Sequence, residues 1–166
     1  NAEVSWKDLE ETYLYAFEEL VKKANVEGVM GAYNRVNGEP SCASEFLMGK
    51  LDKWGFDGYF VSDCWAIRDF HEHHMVTSSP VESAAMALKA GCNVNCGCTY
   101  VHLLSALDKG LVTEDEIRAS CVALMRTRIR LGMFDKSTEY DNIPYSVVSC
   151  PEHKAVSYQC AVKSMV

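Results

Sequence analysis

Leu9, Tyr13, Ala16, Phe17, Leu20 and Val21 recur every three or four residues, the spacing that gathers side chains on one side of a helix. Ser5 and Asp8 stand ahead of them as a capping box, so a helix is predicted from there to about Ala24. The next apolar run, Gly28-Val29-Met30-Gly31-Ala32-Tyr33, is short and does not alternate, which predicts a strand buried on both faces. Asn34 to Pro40 then reads as a polar loop. Ser44 caps a second predicted helix carrying Phe46, Leu47, Leu51 and Trp54, and Gly55 stops it. Gly58-Tyr59-Phe60-Val61-Ser62-Asp63 is the next predicted strand.

Ser79, Pro80 and Glu82 mark the start of a helix ending near Ala90, and a third short strand is predicted from Cys92 to Cys96. Helices follow from Tyr100 to Lys109 and, from the capping pair Thr113 and Glu116, to about Leu131. Strands that alternate with helices imply parallel βα units and an α/β fold. Periodicity fades over 136–149, which reads as a linker. Pro151 then opens a last helix, Glu152 to Val162, that runs into Met165-Val166.

Composition narrows the partners. The 166 residues are 48% hydrophobic and 23% charged, enough for one sizeable core. A net charge of −7 argues against a nucleic-acid partner, whose phosphates call for clustered Lys and Arg, and suits a neutral substrate such as a sugar. No apolar run is long enough to span a membrane. The chain opens on Asn1 rather than Met and lacks signal-peptide features there, so it is expected to be a piece of something longer. The eight cysteines fall largely in apolar stretches, where a free thiol behaves as a small hydrophobe; reduced thiols, and with them a lean to a cytoplasmic setting, are the expectation.

The candidate chemistry lies where the predicted strands end, at Tyr33-Asn34, Ser62-Asp63 and Asn95. In a β/α barrel the active site is at the carboxyl ends of the strands. Asp63 closes an apolar strand with a charge, although by spacing alone it is equally a helix cap or a loop acid. Trp65 reads either as a wall for a sugar face or as core. His71-Glu72-His73-His74 and Cys92, Cys96 and Cys98 include zinc-ligand types, but neither cluster has metal-site spacing, and a solvated loop and a thiol-rich strand are the preferred readings. No metal site is predicted.

Three stretches together carry a resemblance: 29–38 (Val-Met-Gly-Ala-Tyr-Asn-Arg-Val-Asn-Gly), 54–63 (Trp-Gly-Phe-Asp-Gly-Tyr-Phe-Val-Ser-Asp) and 90–97 (Ala-Gly-Cys-Asn-Val-Asn-Cys-Gly). In order and spacing they resemble successive barrel strands of glycoside hydrolase family 3, and 8–14 and 131–135 resemble its flanking segments. The resemblance implies that residues 1–135 supply the last three strands of a (β/α)8 TIM-type barrel, truncated. It makes 136–166 the linker and first helix toward a following α/β domain.

It further implies a retaining exo-β-glycosidase of β-glucosidase or β-xylosidase type, with Asp63 as nucleophile and Tyr33 beside it contacting the nucleophile or the sugar. The substrate would be an oligosaccharide or an aryl or alkyl β-glycoside. The acid/base and the sugar-binding Lys and His of the family belong to regions this chain does not contain. No cofactor is needed, because both catalytic groups are carboxyls. Asn93 departs from the Asp that many members carry, which puts the support of the third strand in question. The alternatives are a β-N-acetylglucosaminidase-type relative, or a fragment that is inactive without the missing parts of its parent chain and exposes an unpaired apolar edge.

Overall fold

A computed structural model of the chain describes residues 1–165. Two compact units divide it, Asn1–Leu131 and Gly132–Val166. Val166, the last of the apolar pair that follows the final predicted helix, lies outside the described residues.

In the first unit the elements are α1 (Trp6–Asp8), a π-helical stretch Leu9–Tyr13, α2 (Tyr15–Ala24), β1 (Gly28–Gly31), β2 (Arg35–Val36), β3 (Glu39–Pro40), α3 (Glu45–Trp54) and β4 (Tyr59–Ser62). They are followed by α4 (Asp69–Glu72), α5 (Pro80–Lys89), a 3-10 turn Thr99–His102, α6 (Leu103–Asp108) and α7 (Glu114–Arg130). The caps read from the sequence form as expected. The Ser5, Ser44, Ser79 and Thr113 hydroxyls each accept a backbone N–H three residues on, and Gly55 ends α3 with a left-handed φ of 82°.

β1 and β4 pair in parallel with Gly28 opposite Tyr59 and Gly31 opposite Ser62. The third predicted strand is reduced: Val94 makes a single parallel bridge to Val61, and no strand forms over Cys92 to Cys96. The loop after β1 carries instead a small antiparallel pair, β2 with β3. The core lies between this short sheet and the helices, centred on Cys42, Leu51, Phe60, Ile67, Phe70 and Cys92.

Two expectations about burial are corrected. Tyr13, Phe17 and Leu20 were predicted on the buried stripe of the first helix, but each is about half exposed, and Leu14 is buried instead. Leu9 and Val21 of the same stripe are buried, and Tyr13 and Phe17 line an apolar cleft that the described residues leave open. β1 is not buried on both faces either, since Met30 is 58% exposed and only one of its edges is paired among the described residues. The open side is an apolar cleft of about 440 Å³ lined by Tyr13, Phe17, Met30, Leu47, Trp54 and Phe60.

At the other end of the strands, the Glu27 carboxylate accepts from the Thr127 hydroxyl at 2.6 Å and from Arg130 at 3.0 Å, while Arg126 pairs with Asp57 at 2.7 Å. These ties fasten α7 beneath β1 and β4.

The second unit holds two short 3-10 turns and α8 (Pro151–Ser164). None of its described residues is buried.

Candidate functional site

The candidate site is built at the carboxyl ends of β1 and β4. Ser62 is the last residue of β4, and Asp63 follows it as the chain leaves the sheet. The Asp63 N–H donates to the Gly31 carbonyl at 2.9 Å, continuing the parallel ladder by one bond beyond the strand. One carboxylate oxygen, Oδ1, accepts the N–H of Cys64 at 2.7 Å. Asp63 is half-buried, so its carboxylate is both held and reachable.

Tyr33 stands two residues past the end of β1 and is 48% exposed. Its hydroxyl lies beside the Asp63 carboxylate. Partial desolvation first, and then that neighbouring negative charge, push its pKa above the ordinary tyrosine value, which keeps the hydroxyl protonated as a donor. Beyond Tyr33 the Asn34 amide donates to the carbonyl of Arg35, the first residue of β2, at 3.2 Å.

Trp65 is exposed and takes a left-handed φ of 71°, a conformation bulky residues rarely adopt. Its N–H donates to the Cys96 carbonyl at 2.7 Å, and the Arg68 guanidinium lies 5.1 Å from its ring centroid. The ring is therefore not core.

The expectation of reduced thiols is corrected at two positions: Cys64 and Cys96 form a disulfide, while the other six cysteines are free. The bond joins the residue after Asp63 to the segment that follows the Val94 bridge. Hydrophobicity around each cysteine said nothing of this, because the pairing depends on two strand ends meeting in space. Cys42 and Cys92 do behave as buried hydrophobes, and burial pushes their thiols up to about 12 and about 11.

Ser62, placed at the strand end by the sequence but given no role there, is a hydrogen-bonding centre. Its buried hydroxyl accepts the Cys96 N–H at 3.0 Å and the Asn95 side-chain amide at 3.3 Å. The question raised by Asn93 is answered by its amide, whose Oδ1 accepts the Phe60 N–H at 2.8 Å while Nδ2 reaches the Ser120 hydroxyl at 3.4 Å. A neutral side chain thus braces β4. His71 bonds to Ser83 and His73 to Asp69, and His74 stacks on Phe70 with a pKa lowered chiefly by burial. Among the described residues no three His, Cys, Asp or Glu side chains are grouped to hold a metal ion.

A profile of the glycosyl hydrolase family 3 N terminal domain matches residues 2–127. The chain belongs to glycosyl hydrolase family 3. It is 38% identical over 170 residues to a xylan 1,4-beta-xylosidase of Xylanibacter ruminicola, covering 99% of this chain and 20% of that protein. It is 39% identical to probable beta-D-xylosidase 7 of Arabidopsis thaliana, covering 100% of this chain and 22% of the relative.

Among solved structures, a GH3 exo-beta-xylosidase, XlnD, bound to a xylobiose aziridine activity-based probe superposes with a TM-score of 0.87 at 29% identity, over 98% of this chain and 22% of that one. A beta-glucosidase of Erythrobacter marinus gives a TM-score of 0.74 at 27% identity, over 88% of this chain and 20% of that one. The family 3 chain described here thus spans about a fifth of the length of these relatives. Its α/β fold is that of the family's N-terminal domain.

Proposed function

We propose that the protein is a retaining exo-β-glycosidase acting at the non-reducing ends of oligosaccharides, and that Asp63 is its nucleophile. The observation that carries this reading is a single one: a half-buried carboxylate at the carboxyl end of a parallel strand, hung on the neighbouring strand through Gly31 and flanked by the Tyr33 hydroxyl. Residues 1–135 then contribute the last strands of a (β/α)8 barrel, β1, β4 and the reduced third position at Val94, and 136–166 lead toward a following domain. The named relatives favour β-xylosides as substrates, with β-glucosides second.

The mechanism is double displacement. Asp63 attacks the anomeric carbon and the glycosidic bond breaks, giving a glycosyl ester on its carboxylate while an acid supplied by another part of the parent protonates the leaving oxygen. That same group then deprotonates water, which releases the sugar and frees Asp63. The Tyr33 hydroxyl donates toward the carboxylate and steadies its charge between the two steps. Trp65 offers an exposed ring on which the apolar face of a sugar packs. Both reacting groups are carboxyls, so the cycle requires no cofactor. The Cys64–Cys96 disulfide favours an oxidising compartment, and with it export of the parent.

The test is peptide mapping of the full-length parent after treatment with 2-deoxy-2-fluoro xylosyl and glucosyl inactivators. A label on Asp63 is expected, forming faster from the xylosyl reagent. A label on another carboxylate would overturn the assignment.

The open side of β1 favours a second statement, that the 166 residues by themselves are inactive. Met30 and the cleft beside it present core-like surface and an unpaired strand edge. Size-exclusion chromatography of the isolated chain is expected to show oligomers without turnover of an aryl xyloside; an active monomer would contradict this.

A further inference from the structure

The chain from Ser62 to Trp65 is fastened residue by residue. Three of the four residues are tied to the segment 94–96. The Ser62 N–H donates to the Val94 carbonyl at 2.9 Å, Cys64 is covalently bound to Cys96, and the Trp65 N–H donates to the Cys96 carbonyl. Asp63 alone reaches the other way, to Gly31 on β1.

Successive side chains of a strand point to opposite faces, and the burial of β4 follows this alternation, with Phe60 and Ser62 inward. The Ser62 hydroxyl, 1% exposed, is therefore on the side of the chain away from the Asp63 carboxylate. There it accepts two N–H donors, from Cys96 and from the Asn95 amide. The Asn95 side chain is itself fixed, its Oδ1 accepting the Tyr100 backbone N–H at 3.1 Å. With only one bridge pairing this segment to β4, the hydroxyl does the work that further ladder bonds do elsewhere in a sheet.

We infer that Ser62 is a positioning residue for Asp63: its buried hydroxyl pins the Cys96 backbone and the Asn95 side chain against the end of β4, so that the adjoining carboxylate is presented to the anomeric carbon in one orientation. The inference rests on the reading of Asp63 as nucleophile. Removing the hydroxyl leaves the Cys96 N–H without its acceptor in a part-buried setting and lets the crosslinked segment shift. A displacement of about 1 Å at a reacting group is enough to slow a step by as much as roughly a hundredfold.

The test is the rate at which the full-length parent is inactivated by 2-deoxy-2-fluoroxylosyl fluoride, with the label mapped and the thermal midpoint recorded. For Ser62→Ala the maximal labelling rate at Asp63 is expected to fall by at least about tenfold, while the reagent's half-saturating concentration stays within about twofold. Ser62→Thr, which keeps the hydroxyl, is expected to label within about threefold of the wild-type rate.

A merely structural role predicts a lower thermal midpoint with an unchanged labelling rate in Ser62→Ala, and that result overturns the inference. If Ser62→Ala does not fold, Ser62→Cys takes its place: its thiol is a poor acceptor, and a rate equal to that of Ser62→Thr overturns the inference. Wild-type label on a carboxylate other than Asp63 removes the nucleophile assignment itself. Label on Asp63 at the same rate in wild type and Ser62→Ala removes only the role of Ser62.

Discussion

The Asp63 N–H and the Gly31 carbonyl meet at 2.9 Å, so the candidate nucleophile is positioned by a residue of the adjacent strand that has no side chain at all. Any side chain at Gly31 would overpack the core there. A Cβ at this position would lie 2.7 Å from the Cys42 sulfur and 2.8 Å from the Phe60 ring. Gly31→Ala in the parent is expected to cost about 1–3 kcal/mol through overpacking. It is also expected to lower kcat, since β1 must move against β4. Thermal unfolding and steady-state kinetics on one preparation check both effects; a destabilised enzyme with unchanged kcat would show that the Gly31 bond does not place the carboxylate.

Asp63→Asn keeps the shape of the side chain and removes its nucleophilic charge. In the full-length parent it is expected to lower kcat by at least about 10³-fold with no change in circular dichroism. Tyr33→Phe keeps the ring and removes only the donor. The expected loss is about tenfold in kcat, corresponding to roughly 1.4 kcal/mol, with KM nearly constant. A larger effect on KM than on kcat would move Tyr33 from the nucleophile to ground-state sugar binding.

The disulfide is checked by alkylation of the denatured, unreduced chain. Six cysteines are expected to be capped, with Cys64 and Cys96 recovered in one crosslinked peptide pair. Replacing both by Ser is expected to destabilise the protein by about 2–4 kcal/mol. Capping of all eight would remove the crosslink from the account.

Glu27 predicts a pH dependence. The Thr127 hydroxyl and then Arg130 stabilise its carboxylate and hold its pKa below the ordinary value of 4.5. A folded-state pKa that is depressed adds stability above the unfolded value and loses it as the pH falls through the folded one. The gap in thermal midpoint between wild type and Glu27→Gln is therefore expected to be widest near neutrality and to close as the pH drops below 4.5. A gap independent of pH would assign the effect to shape rather than charge.

What was legible in the sequence was local. Ser44 with Gly55, Ser79 with Pro80, and Thr113 with Glu116 mark helix ends through bonds made within three or four residues, and those helices stand where they were expected. The placement of Asp63 at a strand end followed from the apolar run before it. What escaped depends on register between segments far apart in the chain. The disulfide spans 32 residues, and Ser62 meets Asn95 and Cys96 only because Val61 bridges Val94. The exposure of Tyr13 and Phe17 follows from the open cleft beside β1, which no local pattern announces.

The two ends of β1 and β4 carry separate duties. Glu27, Thr127 and Arg130 cluster just before β1, and Asp63 follows just after β4. With four strand residues between them, five steps of about 3.3 Å put roughly 16 Å between these poles. At that separation, energetic effects add with little interaction. Heat tolerance and turnover can therefore be bred independently, by changing charges at one pole while leaving the other untouched.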